Sequence, residues 1–279
     1  MVAAAESFGT PAYVYSRAAF ANAYKEFERG LNKIPHTICF AVKSNGNLSI
    51  LQHLAKMGSG FDIVSGGELE HLGHLGVRGE RIVFSGVGKT REEIRAALQY
   101  SPSGSAKRGK QSSGGILLFN VESEAELEVL LEESERNVAR GGKIPAVAIR
   151  VNPDVAAGGH PHIATGSHTH KFGLDWPEAR RLYLAHKDSK YLQWKGISAH
   201  IGSQIVSLAP FRRAFRRIAG FVNELKRAGI HLEYLDLGGG LGVRYTTEKN
   251  SSRVAYARMV GGLVRALGLH LLLEPGRSI

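Results

Sequence analysis

The sequence predicts an α/β fold, a (β/α)8 barrel in which eight parallel strands form a ring inside a ring of helices. Three observations carry this. Eight short apolar runs alternate with stretches of helical spacing from residue 36 to residue 274. The runs are apolar throughout their length instead of alternating with polar residues, as strands buried on both faces should be. And the residues able to do chemistry gather at the C-terminal ends of those runs, where barrels build their sites. A doubly wound open sheet is the structural alternative.

The elements follow in order. Residues 17–31 read as a helix before the first run, and this helix is expected to close the ring, since none follows the last run. The runs are 36–42, 61–64, 81–84, 116–119, 146–151, 196–200, 232–237 and 270–274. Between them, 48–57, 68–75, 91–98, 122–139, 177–185, 210–228 and 254–267 have amphipathic helical spacing. Thr90 with Glu93 three residues on forms a capping box at a helix start. Asp175 stands just before Pro177, as suits a first helical turn. Gly229 and Gly268 fall just past helices, where a left-handed residue is wanted. Residues 101–115, SPSGSAKRGKQSSGG, have no apolar period and read as a flexible surface insertion. About 10–279 therefore form one domain.

Composition excludes several classes. Of 279 residues 43% are hydrophobic, too many for a mainly disordered chain. Cys39 is the only cysteine, which excludes a disulfide scaffold and favours a reducing cytoplasm. The net charge of +11 comes without a long Lys/Arg block, so a solvated basic exterior is expected and no nucleic-acid partner. No apolar run reaches the ~18 residues of a membrane span, and the N-terminus lacks the basic start of a secretory signal.

The strand ends carry the chemistry. Lys43 follows the first run, Asp62 lies in the second, Ser85 follows the third and Asn120 the fourth, and Arg150 comes late in the fifth. His200, Gly202 and Ser203 close the sixth, Asp236 and Gly238 to Gly240 the seventh, and Glu274, Gly276 and Arg277 the eighth. Barrels often hold phosphate in the loops after strands seven and eight. Here those loops are GGGLG and EPGR, whose backbone N–H groups can form an anion nest with Arg277 beside it. At the mouth, Lys43 is expected to be partly desolvated, which lowers its pKa and frees a nucleophilic amine. An amine, a phosphate cup and a carboxylate together suit pyridoxal 5'-phosphate, with Glu274 as partner of the ring nitrogen and His200 against the ring.

At these residues the chain resembles the diaminopimelate decarboxylases, members of the alanine-racemase-like, fold-type III pyridoxal-phosphate enzymes. FAVKSN, GFDIVSGGEL, FSGVGKT, FNVES, RVNPD, KFG, HIGSQ, LDLGGGLG and EPGR occur in that family's order, from about residue 9 to 279. The resemblance implies that Lys43 binds the cofactor's aldehyde and that His200 stacks on its ring. Ser203, Gly239, Gly240, Gly276 and Arg277 would hold the phosphate, Arg277 also touching a substrate carboxylate. Glu274 would pair with the ring nitrogen, and Asp62 and Arg150 would complete the polar shell. It implies loss of carbon dioxide from meso-2,6-diaminopimelate to give L-lysine, by an enzyme that works as a homodimer.

There are departures. The resemblance implies a C-terminal β domain with a Cys–Glu motif and a Tyr beyond the barrel, and the 279 residues are expected to hold the barrel without it. Residues 160–170, HPHIATGSHTH, have His162 where the family has Tyr. Two H-x-H pairs there invite a zinc reading, but no Cys or ligand spacing backs it and no metal is expected. A pyridoxal-phosphate-binding barrel without decarboxylase activity, or a decarboxylase of another basic amino acid, remains an alternative. So does a methyltransferase reading of Asp236, Gly238, Gly240 and Gly242, although Val243 interrupts a full dinucleotide fingerprint.

Overall fold

The computed structural model describes residues 2–102, 114–155, 172–247 and 251–279. Eight parallel strands close into one barrel in sequential order, β1 pairing with β8. They are β1 His36–Ala41, β2 Gly60–Ile63, β3 Ile82–Phe84, β4 Leu118–Val121, β5 Ala146–Arg150, β6 Gln193–Ser198, β7 Tyr234–Asp236 and β8 His270–Leu273. Closure excludes the open sheet. The 101–115 insertion lies mostly outside the described residues, as do residues 160–170 of the zinc reading.

The helices α1 Val2–Phe8, α2 Arg17–Gly30, α3 Leu48–Met57, α4 Gly66–His74, α5 Arg91–Leu98, α6 Glu124–Ala139, α7 Trp176–Ala185, α8 Leu208–Arg227 and α9 Arg253–Arg265 account for the rest of the regular structure. As expected, α2 packs on α9 and fills the place of a helix after β8. Thr90 and Glu93 form the capping box, and Asp175 caps α7 through Glu178 N–H at 2.8 Å. Gly229 and Gly268 take φ of 78° and 70°. Most boundaries shift by one to three residues from the sequence reading, and two of the shifts have a local cause. α8 starts earlier, at the Ser207 cap, because Pro210 fits inside the first helical turn. β6 starts at Gln193, its N–H bonded to Pro145 O, although polar Gln193 and Lys195 hide that start from an apolar pattern. α1 was not foreseen: none of its residues is buried, so it has no apolar stripe to read.

Period-two alternation divides the core. Phe40, Phe61, Ile63, Phe84, Phe119 and Ile149 face outward and pack against the helices. Inside the ring, Cys39, Val83, Leu118, Ala148 and Leu272 form a separate apolar plug. Two residues beyond Val83, Leu118, Ala148 and Leu272 stand Ser85, Asn120, Arg150 and Glu274. Each of these four strands thus sends an apolar residue into the plug and a polar one to the mouth above it, so the plug is the floor on which the site stands.

Candidate active site

Above the plug lies a cavity of about 310 Å3 lined by Lys43, Val64, Ser85, Gly86, Arg150, Phe172, Ser198, His200, Gly202, Ser203 and Glu274. Seven residues named at strand ends from the sequence therefore meet there: Lys43, Ser85, Arg150, His200, Gly202, Ser203 and Glu274. Asp62 stands directly behind them, and Gly239, Gly240, Gly276 and Arg277 flank the cavity without lining it.

Lys43 sits in a 3-10 turn, Val42–Ser44, just past β1. Its half-exposed ammonium donates to Asp62 Oδ2 at 2.6 Å, and Asp62 is fully buried. This corrects the expectation of a lowered amine pKa. Burial does pull it down, but the charges of Asp62 and Glu274 and the Asp62 hydrogen bond outweigh burial, so Lys43 is held well above the usual lysine range. Asp62 Oδ1, also buried, has no partner among the described residues.

His200 shows the opposite shift. Burial, then the Arg150 and Lys43 charges, push it down to about 3, so the ring is neutral. Gly239 N–H approaches its Nδ1 at 3.2 Å. A backbone N–H can only donate, so Nδ1 accepts and the ring proton is on Nε2.

The back wall is acidic. Asn120 Nδ2 donates to Asp236 Oδ2 at 2.7 Å and to Ser85 Oγ at 3.0 Å, and Ser85 Oγ donates to Glu274 Oε1 at 3.0 Å. Burial and the neighbouring Asp236 and Asp62 charges push Glu274 well above the carboxylate range. Asp236 is raised by burial, offset by bonds from Glu274, Gly238 N–H and Asn120. Both carboxyls of the pair are thus held above the usual range, Glu274 the further.

Loops after β6, β7 and β8 touch backbone to backbone. A Cβ on Gly239 would strike Glu274 O, and one on Gly240 would strike Gly202 O, so both positions need glycine. The expected nest is built differently from the plain glycine run. Gly238 N–H is used by Asp236 Oδ1 at 2.9 Å, and Gly239 N–H by His200. The N–H groups of Ser203, Gly240, Gly276 and Arg277 donate to no partner among the described residues. Arg277 is exposed, its guanidinium bonded to Tyr245 Oη and 5.8 Å from that ring's centre.

Arg150, 14% exposed, is held by Glu122, both carboxylate oxygens at 2.8 Å, and lies over Phe172 at 5.3 Å. Sequence reading missed Glu122, Lys89 and Phe172, although FSGVGKT, FNVES and KFG contain them. Charged residues beyond a strand end show no periodicity that distinguishes a buried partner from a surface side chain.

The comparisons bear on this cavity. Residues 17–279 match the family model described as pyridoxal-dependent decarboxylase, pyridoxal binding domain. The chain belongs to that family. A diaminopimelate decarboxylase of Pseudomonas aeruginosa is 44% identical over 275 residues, 99% of this decarboxylase-family chain and 62% of that relative. One from Neisseria meningitidis is 42% identical over 275 residues, 99% of this chain and 63% of the relative. The crystal structure of diaminopimelate decarboxylase from Helicobacter pylori, complexed with L-lysine, superposes with a TM-score of 0.86 at 35% identity, covering 98% of this chain and 66% of that one. The chain thus spans about 62% of the length of the curated relatives it matches. The family's cofactor is pyridoxal phosphate, and the residues fit it. The cavity is near the lower end of the ~300–1,000 Å3 of small-molecule sites. It joins an amine and a carboxyl group, with unpartnered N–H groups of three adjoining loops beside it.

Proposed function

We propose that this chain is the cofactor-binding barrel of a diaminopimelate decarboxylase, which converts meso-2,6-diaminopimelate to L-lysine and carbon dioxide. Residues from about 10 to 279 act as its pyridoxal-phosphate domain. The observation that carries the reading is the meeting of Lys43, backed by Asp62, with Glu274 and His200 in one cavity above the barrel plug.

When bound, pyridoxal phosphate supplies the electron sink for the pair left as the carbon–carboxylate bond breaks. Lys43 would hold its aldehyde carbon. Asp62 keeps the Lys43 amine charged at rest, its Oδ2 only 2.6 Å from the amine nitrogen. Glu274, its carboxyl held well above the usual range by burial, would stand at the ring nitrogen. Neutral His200 would lie against the ring, adding no charge and keeping water from it. Ser203, Gly240, Gly276 and Arg277 would bind the phosphate through N–H groups with no other partner, and Gly239 would hold His200 in place. Arg150 completes the polar wall, and Arg277 at the rim would meet a substrate carboxylate.

The assay is lysine and carbon dioxide formation from meso-2,6-diaminopimelate by the cofactor-loaded chain, alone and joined to the region that follows the barrel in a relative. Lysine formation in the joined form, lost in Lys43→Met, is the expected result. Faster decarboxylation of lysine, ornithine or arginine would overturn the substrate. We place the enzyme in the cytoplasm as a homodimer. Among the described residues no helix is long and apolar enough to cross a membrane. Light scattering on the joined form tests the dimer.

A further inference from the structure

Arg150 does not reach the cavity wall unaided. Its Nη1 donates to both oxygens of Glu122, at 2.8 Å each, leaving Nε and Nη2 without a partner among the described residues. Glu122 is itself buried and does not line the cavity. Its Oε1 also accepts Gly86 N–H at 2.7 Å, and its backbone N–H donates to Glu126 Oε2 at 3.1 Å. Glu126 in turn pairs with Lys89 at 2.7 Å. The Lys89 ammonium, fully buried, also donates to Gly86 O at 2.7 Å and Asn120 O at 2.8 Å. Gly86 is therefore gripped on both sides, and the ends of β3, β4 and β5 are tied through one chain of charged groups that ends at Arg150.

The two cavity cations are built alike. Lys43 has Asp62 behind it, and Arg150 has Glu122, each a carboxylate buried at the strand ends. An arginine with a carboxylate on one edge is pre-oriented, and its remaining donors do not have to be ordered when a ligand arrives. Without that carboxylate, a long side chain at a half-open cavity would swing toward solvent, keeping only its contact with the Phe172 ring.

We propose that Glu122 is a positioning residue: with the buried Lys89–Glu126 pair behind it, it fixes the Arg150 guanidinium so that its free edge serves the anionic cofactor or substrate in the cavity. The inference rests on the cofactor-binding reading above and extends it to residues that touch no ligand.

A double-mutant cycle tests it, using the full 279-residue chain. Pyridoxal phosphate affinity is measured by absorbance titration in the parent, Glu122→Gln, Arg150→Ala and the double variant. A hydrogen-bonded charge pair of this kind predicts about tenfold weaker binding in Glu122→Gln. Arg150→Ala loses at least as much, and the double variant loses no more than Arg150→Ala. Affinity within about twofold of the parent, or losses that multiply in the double variant, would overturn the proposal. If Glu122→Gln does not fold, Glu122→Asp keeps the charge but is too short to span Gly86 and Arg150, and the same weakening is expected. A second readout needs no cofactor. Phenylglyoxal should modify Arg150 several-fold faster in either Glu122 variant, mapped by mass spectrometry, and an unchanged rate refutes the positioning. A parent that takes up no pyridoxal phosphate would sink the functional reading, while the phenylglyoxal rates would still decide this one.

Discussion

Lys89→Met is the sharpest test of the polar chain behind the site. The wild-type ammonium is fully buried and meets three oxygens at 2.7–2.8 Å, two of them backbone carbonyls. Methionine matches its length and supplies none of those bonds. The Glu126 carboxylate, 8% exposed, is then left without its cation. Removing one partner of a buried pair costs about 3–5 kcal/mol, because the surviving charge cannot be solvated. With an m-value of about 3 kcal/mol/M, the urea midpoint should fall by roughly 1 M or more. The pH dependence carries a second signature. Burial already raises Glu126 above the usual carboxylate range despite Lys89. Without Lys89 it rises further, so the folded variant binds a proton that the unfolded chain gives up. Its stability then falls as pH rises between the unfolded and folded pKa values, and the deficit against the parent narrows as pH is lowered. Lys89→Met with Glu126→Leu, which removes both charges, should recover much of the loss. A single-variant loss under about 1 kcal/mol, or a deficit that widens in acid, would refute the reasoning.

Other expectations follow from the same geometry. His200, pushed down to about 3 by burial and the Arg150 and Lys43 charges, should show no imidazole titration by NMR between about pH 5 and 8. Because its folded pKa is depressed, the stability it contributes is present above the unfolded value and is lost as pH falls toward the folded one. Asp62→Asn should move the pH dependence of Lys43 labelling, by pyridoxal phosphate and borohydride, to lower pH, since the leading influence raising that amine disappears. An unmoved profile would contradict the Asp62 assignment. Cys39, buried in the plug and raised well above the usual thiol range by burial and nearby carboxylates, should resist thiol reagents until the barrel unfolds.

The barrel was legible because its strands obey two simultaneous rules: apolar on both faces, with a polar residue where each inward column reaches the mouth. Lys43, Arg150, His200, Ser203 and Glu274 could be read from that pattern because a strand end dictates where its next inward side chain points. The helix caps at Thr90 and Asp175 were legible for a local reason, their partners lying three residues away. What failed was every feature settled by long-range charge. The direction of the Lys43 shift depends on Asp62, 19 positions along the chain and on another strand. Glu122 looks like an ordinary residue before an acidic helix until the ring closes and brings Arg150 to it, 28 positions away. The glycine run misled in a related way. Sequence shows that its N–H groups can turn toward an anion, but not that Asp236 and His200 already use two of them.

These long-range pairings bear on how the cavity can hold an anion at all. Lys43 and Arg150 are each matched to a buried carboxylate, His200 is neutral, and the back wall carries the buried Asp236–Glu274 pair. Net positive charge is therefore not what the described cavity offers. What its flank offers is direction: N–H groups of Ser203, Gly240, Gly276 and Arg277, without partners among the described residues, on loops that touch backbone to backbone. Fixed dipoles in a partly enclosed site need no reorganisation when charge arrives, and a preorganised donor is worth more there than in water. The carboxylates then have a second use. By keeping Lys43 and Arg150 compensated and fixed, they let one cavity keep a cationic amine, a guanidinium and the Glu274 carboxyl side by side, each available to a different part of one ligand.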